Sequence, residues 1–162
     1  MYNHAPPGYK CPLCTIANGT AAETEMFAGT DIVYQDASVL ALLGAFQWPK
    51  NPGNVVVFPY DHFENIYDLP LRVACRIHDL SRGIALAMKA AWECDGVSTR
   101  QHNEPAGNQD TWHYHQHVTP RYESDEFYAT YTRGKALMEP GKRAVYAAQL
   151  RAHLASWLPA DA

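Results

Sequence analysis

No apolar run in this 162-residue chain approaches the roughly 20 residues needed to cross a bilayer. The opening MYNHAPPGYK also lacks the basic-then-apolar order of a secretory signal. Positive charge is scarce: 13 Lys and Arg stand against 17 Asp and Glu, for a net charge of −4. The basic residues gather nowhere more densely than Gly141-Lys142-Arg143. The electrostatic footprint of a protein that grips long nucleic acid is therefore missing, and no polymer substrate is expected. Internal repeats and low-complexity tracts are absent as well. The four cysteines are compatible with a reducing compartment. Together these absences place the chain in the cytoplasm, away from membranes.

What is present suits a folded domain. Of the residues, 47% are hydrophobic and 12% aromatic, enough for one core, so residues 1–162 are expected to form a single domain behind an unstructured leader that includes His4. DIVYQD (31–36) and SVLALL (38–43) read as a hairpin, and NVVVFP (54–59) as a buried strand. The intervening GAFQWPKNPG is punctuated as loop by Pro49, Pro52 and Gly53. From Pro70 to about Cys94 the apolar positions Val73, Ile77, Leu80, Ile84, Met88 and Ala91 recur at three- and four-residue steps, which predicts a long amphipathic helix despite Gly83. GVSTRQHN (96–103) and HYHQHVTP (113–120) read as neighbouring strands. Tyr146, Leu150, Leu154 and Leu158 then place a C-terminal helix over about 139–158. The expected class is α+β, an antiparallel sheet covered mainly by one long helix.

Within WHYHQHVTPRY (112–122), His113, His115 and His117 alternate. On a strand they share one face at intervals of about 7 Å, while Trp112, Tyr114, Gln116 and Val118 take the other. The larger groups claim the covered face, which leaves three imidazoles on an accessible one. Imidazole titrates near neutrality and serves as nucleophile, acid or ligand. Spacing alone leaves metal binding, catalysis and a solvated polar strand open. Cys11 and Cys14 form a lone CPLC, which is half of a zinc site, a redox pair or an accident of composition. Cys75 and Cys94 fall in the helical pattern and read as core filling.

CPLCTI, IVYQDASVLALL, NPGNVVVFPYDHFENIYDLP and GNQDTWHYHQHVTPRY resemble, in order, successive segments of the histidine triad (HIT) superfamily of nucleotide hydrolases and nucleotidyltransferases. The resemblance covers about residues 11–122. It implies an α+β fold, usually paired into a homodimer, and a small nucleotide as substrate. It also implies that His115 attacks the α-phosphorus to give a covalent nucleotidyl-histidine. By the same likeness His117 contacts the phosphate and aids proton transfer to the leaving group, Gln109 hydrogen-bonds the phosphate, and Asn103 lies near it, with His102 at the counted offset. The implied activity is release of a nucleoside monophosphate from a phosphoramidate or dinucleoside polyphosphate. Transfer of the nucleotidyl group to phosphate or a sugar phosphate is the alternative, and a zinc-stabilised binding module with little turnover is the second.

The resemblance also extends to zinc. Some members hold the metal with a CxxC, a His after the third strand and the first His of the triad, which here are Cys11, Cys14, His62 and His113. Two thiolates and two imidazoles close a tetrahedron, so the Zn²⁺ is expected to be structural. Several positions depart from the pattern. Asn54 stands where a His is usual and Gly44 where an acid grips ribose, and the loop 44–53 is longer. Gln116 replaces an apolar residue and Asn108 a Gly. Trp48 lies beside the expected nucleoside, where it can stack on a base or pack within the loop. Arg121 can steer phosphate or pair with a carboxylate. His78 and His153 are expected at helix surfaces.

Overall fold

A computed structural model describes residues 2–131 and 134–155. A short helix α1 (Pro12–Ala17) precedes strands β1 (Ile32–Gln35), β2 (Val39–Leu43), β3 (Phe46–Gln47) and β4 (Val55–Pro59). Helix α2 (Leu71–Trp92), strands β5 (Gly96–Gln101) and β6 (Gln116–Arg121), helix α3 (Phe127–Thr130), strand β7 (Ala136–Leu137) and helix α4 (Pro140–Leu154) follow. Five strands form an antiparallel sheet in the order β1-β2-β4-β6-β5, and β3 pairs with β7 in a separate ribbon. The mixed α+β class, with its long helix and C-terminal helix, is as the sequence pattern predicts.

The hairpin closes because the Asp36 carboxylate accepts the amides of Ser38 at 2.7 Å and Val39 at 2.9 Å, mimicking a backbone turn. Alternation then sorts β2 between two cores. Val39, Ala41 and Leu43 face α2 and α4, while Leu40 and Leu42 face the opposite layer with Phe58, Leu13, Ile16 and Phe27. Both sheet faces are covered, which is why every residue of β2 is buried. Gly53 leads into β4 with φ +107°, and a Cβ there would lie 2.4 Å from the Trp92 ring, so only glycine fits.

Helix α4 is anchored by a group the sequence pattern did not flag. Arg143, fully buried, donates to both Asp31 oxygens at 3.0 and 2.9 Å and to the carbonyls of Glu25 and Met138. Leu150 and Leu154 fill the core as the spacing predicts, and Leu158 lies outside the described residues.

Three expectations need correction. The strand expected over 113–120 begins only at Gln116, because its ladder partners end at Val57 of β4 and Gln101 of β5. Upstream, the His113 carbonyl is taken by the His115 ring at 2.7 Å and the Tyr114 amide by Phe63. The N-terminal leader is not loose: the amides of His4 and Ala5 donate to Glu64, and Asn65 Nδ2 donates to Asn3 Oδ1 at 2.9 Å. Cys75 is exposed on the outer side of α2, and only Cys94 fills the core. No helix among the described residues is long and apolar enough to cross a membrane.

Candidate functional site

Cys11 caps α1, its Sγ accepting the Cys14 amide at 3.4 Å, and one helical turn brings Cys14 to the same side. The loop after β4 supplies His62 and the extended run before β6 supplies His113, so that all four ligand atoms lie within 4.8 Å of one another. His113 Nδ1 is 3.3 Å from Cys11 Sγ and 3.4 Å from Cys14 Sγ, and His62 Nδ1 is 3.2 Å from Cys14 Sγ. A tetrahedral Zn²⁺ sets its sulfur and nitrogen ligands about 3.5 Å apart, close to these edges. The far nitrogen of His113 donates to the Pro59 carbonyl at 3.0 Å, which fixes the tautomer that leaves Nδ1 toward the sulfurs.

Burial sets the protonation of two of the four groups. Burial lowers His113 to about 4, so the ring is neutral. Burial and the neighbouring Cys11 push the Cys14 thiol up to about 12. Two adjacent sulfurs resist ionising together, and a bound dication reverses that preference.

Beside the cluster opens a cavity of about 470 Å³, with His115 and His117 on its wall. The His115 Nδ1–H donates to the His113 carbonyl at 2.7 Å, so the lone pair sits on Nε2. Burial lowers its pKa and keeps it neutral. His117, on β6 opposite Val56 and Arg100, packs edge-on against His115 with ring centroids 5.1 Å apart. Its Nδ1 is enclosed and has no hydrogen-bond partner among the described residues. Burial, then His115, His102, Lys135 and Arg100, hold its pKa well below the ordinary value. His113 and His115 are thus buried and His117 half-buried, where an accessible strand face was expected.

Other expected site residues are placed differently. Gln109 donates to the carbonyls of Glu64 at 2.6 Å and Thr111 at 3.1 Å and accepts from the Glu104 amide, so its amide ties the loop together away from the cavity wall. Asn103 accepts from the Ile66 amide at 2.8 Å and pairs with Gln101, while His102 lines the cavity. Trp48 lines it too, yet its ring is stacked on Tyr131 at 5.1 Å and 13°.

The departures from the family pattern have local explanations. Gln116 donates to Ser81 of α2 at 2.8 Å, which satisfies a polar group on the covered face. Asn108 has φ +67°, a left-handed conformation that Asn tolerates in place of Gly. Asn54 is buried in the cavity wall and accepts from Thr119 at 2.9 Å. A Cβ on Gly44 would meet Asn54 Nδ2 at 3.0 Å, a tight contact from which the Asn54 side chain would have to draw back. Arg121 pairs with Asp125 through two bonds of 2.7 and 2.8 Å, on the carboxylate side of its two readings.

Residues 27–124 match the family model described as HIT domain. The chain belongs to the HIT-domain family. Over 112 residues it is 32% identical to a Bacillus subtilis protein named Protein hit, which covers 69% of this chain and 71% of that one. An uncharacterized HIT-like protein of Methanocaldococcus jannaschii is 30% identical over 71% of this chain and 81% of its own. Among solved structures, a Zn-bound histidine triad family protein from Mycobacterium smegmatis superposes with a TM-score of 0.71 at 24% identity, covering 91% of this chain and 94% of that one. Diadenosine triphosphate hydrolase of Plasmodium falciparum gives 0.67 at 12% identity, covering 80% of each. At those identities the two structures share the fold.

One wall of this HIT cavity lies beyond the matched residues. Tyr131 and Lys135 line it, carried by α3 and the segment entering β7. The sequence shows only a stretch rich in Tyr and charge there, with no spacing that signals a site. Its placement depends on distant partners. Met138 N donates to the Ala45 carbonyl at 2.9 Å, Asn51 Nδ2 to Asp125 at 2.6 Å, and Lys50 to Glu126 at 2.7 Å.

Proposed function

We propose that this HIT-domain protein is a nucleotide hydrolase that releases a nucleoside monophosphate from a phosphoramidate or dinucleoside polyphosphate through a covalent intermediate on His115. The observation that carries this reading is the fixed tautomer of His115: Nδ1–H is held by the His113 carbonyl, and a neutral Nε2 lone pair lines the cavity. That lone pair forms a bond to the α-phosphorus as the bond to the leaving oxygen or nitrogen breaks. His117, protonated when an anionic phosphate sits beside it, gives its proton to the leaving atom. Water then adds to phosphorus, its proton passes to His117, and rupture of the P–N bond restores His115. Leu13, Ile16, Phe27, Leu42 and Val56 offer an apolar slot for the base, with Trp48 at its border. Gln109 and Asn103 act as positioning residues that hold the loop below the phosphate.

Cys11, Cys14, His62 and His113 would hold a structural Zn²⁺. Bound there, the metal would tie α1 and the loop after β4 to the triad, and four protein ligands would leave it no open position. We place the protein in the cytoplasm as a one-domain chain and homodimer. The edge strand β5, paired among the described residues with β6 alone, supports the second copy.

The test is turnover by zinc-loaded protein of adenosine and guanosine conjugates, with and without phosphate or a sugar phosphate. His115→Ala is expected to lose about 10³-fold or more, some 4 kcal/mol of barrier. Near-wild-type rates in that variant sink the mechanism. A nucleotidyl phosphate product would identify a transferase, and binding without turnover would identify a binding module.

A further inference from the structure

The wall that lies beyond the matched residues carries a cation into the cavity. Tyr131 is held on three sides: its ring stacks on Trp48, the Arg100 guanidinium lies 3.7 Å from its centroid, and its hydroxyl is 3.2 Å from His102 Nε2. The other His102 nitrogen donates to the Gly107 carbonyl at 2.6 Å, so Nε2 accepts from the tyrosine. From that fixed point the chain runs to Lys135, whose Nζ is 4.0 Å from Asp110 on the opposite lip and 5.6 Å from the Phe46 ring. Both members of the pair are substantially exposed, Lys135 45% and Asp110 74%, so the ion pair is weak and easily exchanged. His117 Nδ1 and Arg100 Nη1, on cross-strand neighbours of β6 and β5, are buried without hydrogen-bond partners among the described residues.

Among the described residues the charged and titratable groups lining this end are Lys135, His102, His115, His117 and Asp110, with the Arg100 guanidinium against the Tyr131 ring. A single phosphate at His115 answers the groups at the bottom of the cavity but leaves the lysine at its mouth with only Asp110. Two phosphates in a row answer both.

We propose that Lys135 binds the phosphate next to the one at His115, and so fits the cavity to nucleoside polyphosphates rather than to conjugates whose leaving group is a neutral amine. The proposal rests on the reading of the cavity as a nucleotide site and sharpens it to a substrate class. Discrimination then resides in a segment outside the HIT domain proper, anchored by the β3–β7 ribbon and by Asp125.

Equilibrium binding of AMP and ADP to zinc-loaded full-length protein tests this, because it needs no turnover. Wild type is expected to prefer ADP by about tenfold, the scale of one charge-assisted contact. Lys135→Ala is expected to bring the preference to about twofold, and Lys135→Arg to retain it. An unchanged ADP-to-AMP ratio in Lys135→Ala, or equal affinities in wild type, overturns the proposal and leaves the nucleotide reading standing. If wild type binds neither nucleotide, the reading of the cavity itself fails.

Discussion

The two walls of the cavity are made in different ways. On one side, His113, His115 and His117 come from a single extended run, and alternation alone puts them on one face. Their supports are two backbone carbonyls: that of His113, two residues away, orients His115, and that of Pro59, at the end of β4 and 54 residues away, orients His113. On the other side, Tyr131 and Lys135 reach the same space only through a mesh of long-range ties to the loop 44–53. A repeating local geometry can be written into a few residues. A wall held by a buried carboxylate, a ring stack and a two-residue ribbon depends on everything it touches, and it is open to change without disturbing the first.

The largest effect expected from breaking this comparison is at the metal cluster. Wild type is expected to contain close to one zinc per chain. Cys14→Ser should lower zinc content and cost about 3 kcal/mol or more, which for a chain of this size is roughly 6–12 °C in Tm. A wild type that is metal-free and equally stable removes the cluster from the account. The opposite wall offers a cleaner separation. Asp125 is buried, bonds Arg121 twice, Asn51 and the amides of Tyr122 and Phe127, and its carboxyl is held well below the usual range by the Arg121 guanidinium. Asp125→Ala is expected to cost about 2–3 kcal/mol and to raise KM, with zinc content unchanged. Parallel loss of zinc would show that the two walls are not independent.

A smaller effect concerns His117. Its pKa in the folded chain is depressed by burial, so below about pH 6.5 the unfolded chain binds a proton that the folded chain refuses. Stability is therefore insensitive to this group above that pH and falls below it, by up to about 1.4 kcal/mol per pH unit. Urea unfolding at pH 7.5, 6.0 and 5.0 should show a shallower decline for His117→Gln than for wild type. An identical slope would mean that His117 is already protonated when folded. The smallest effect is at the sugar. With Gly44 in place of a carboxylate, ribo- and deoxyribonucleotide substrates should differ in kcat/KM by about tenfold or less, some 1.4 kcal/mol. Gly44→Asp should not create a ribose preference, because its Cβ would sit 3.0 Å from Asn54 Nδ2. A thousandfold preference for ribose in wild type would point to another residue of the loop 44–53.

Much of this was legible in the residues themselves. The periodicity of Val73 to Met88 locates α2, the valines of β4 locate a buried strand, and Cys11, Cys14, His62 and His113 do converge. The positions that the sequence left open have a common form. Asn103 and Gln109 are polar residues at offsets that suggest a phosphate, but each side chain is occupied by backbone or neighbouring amides, and an offset does not say which of two adjacent residues, His102 or Asn103, faces the cavity. Gln116 reads as a defect until Ser81 is seen across from it. Arg143 reads only as one of the two basic residues of Gly141-Lys142-Arg143 until Asp31 is found beside it.

The four metal ligands came from the chain's likeness to the HIT family; the sequence by itself determined the strand and helix periods and the row of imidazoles. These rest on local geometry, in which neighbours along the chain settle where a side chain points. Only the tertiary structure decided that His113 and His115 are buried and His117 half-buried, that His115 carries its lone pair on Nε2, and that residues beyond the HIT domain supply Tyr131 and Lys135 to the cavity. Burial, tautomer and wall closure are set by groups distant in sequence, through contacts that have no period to read.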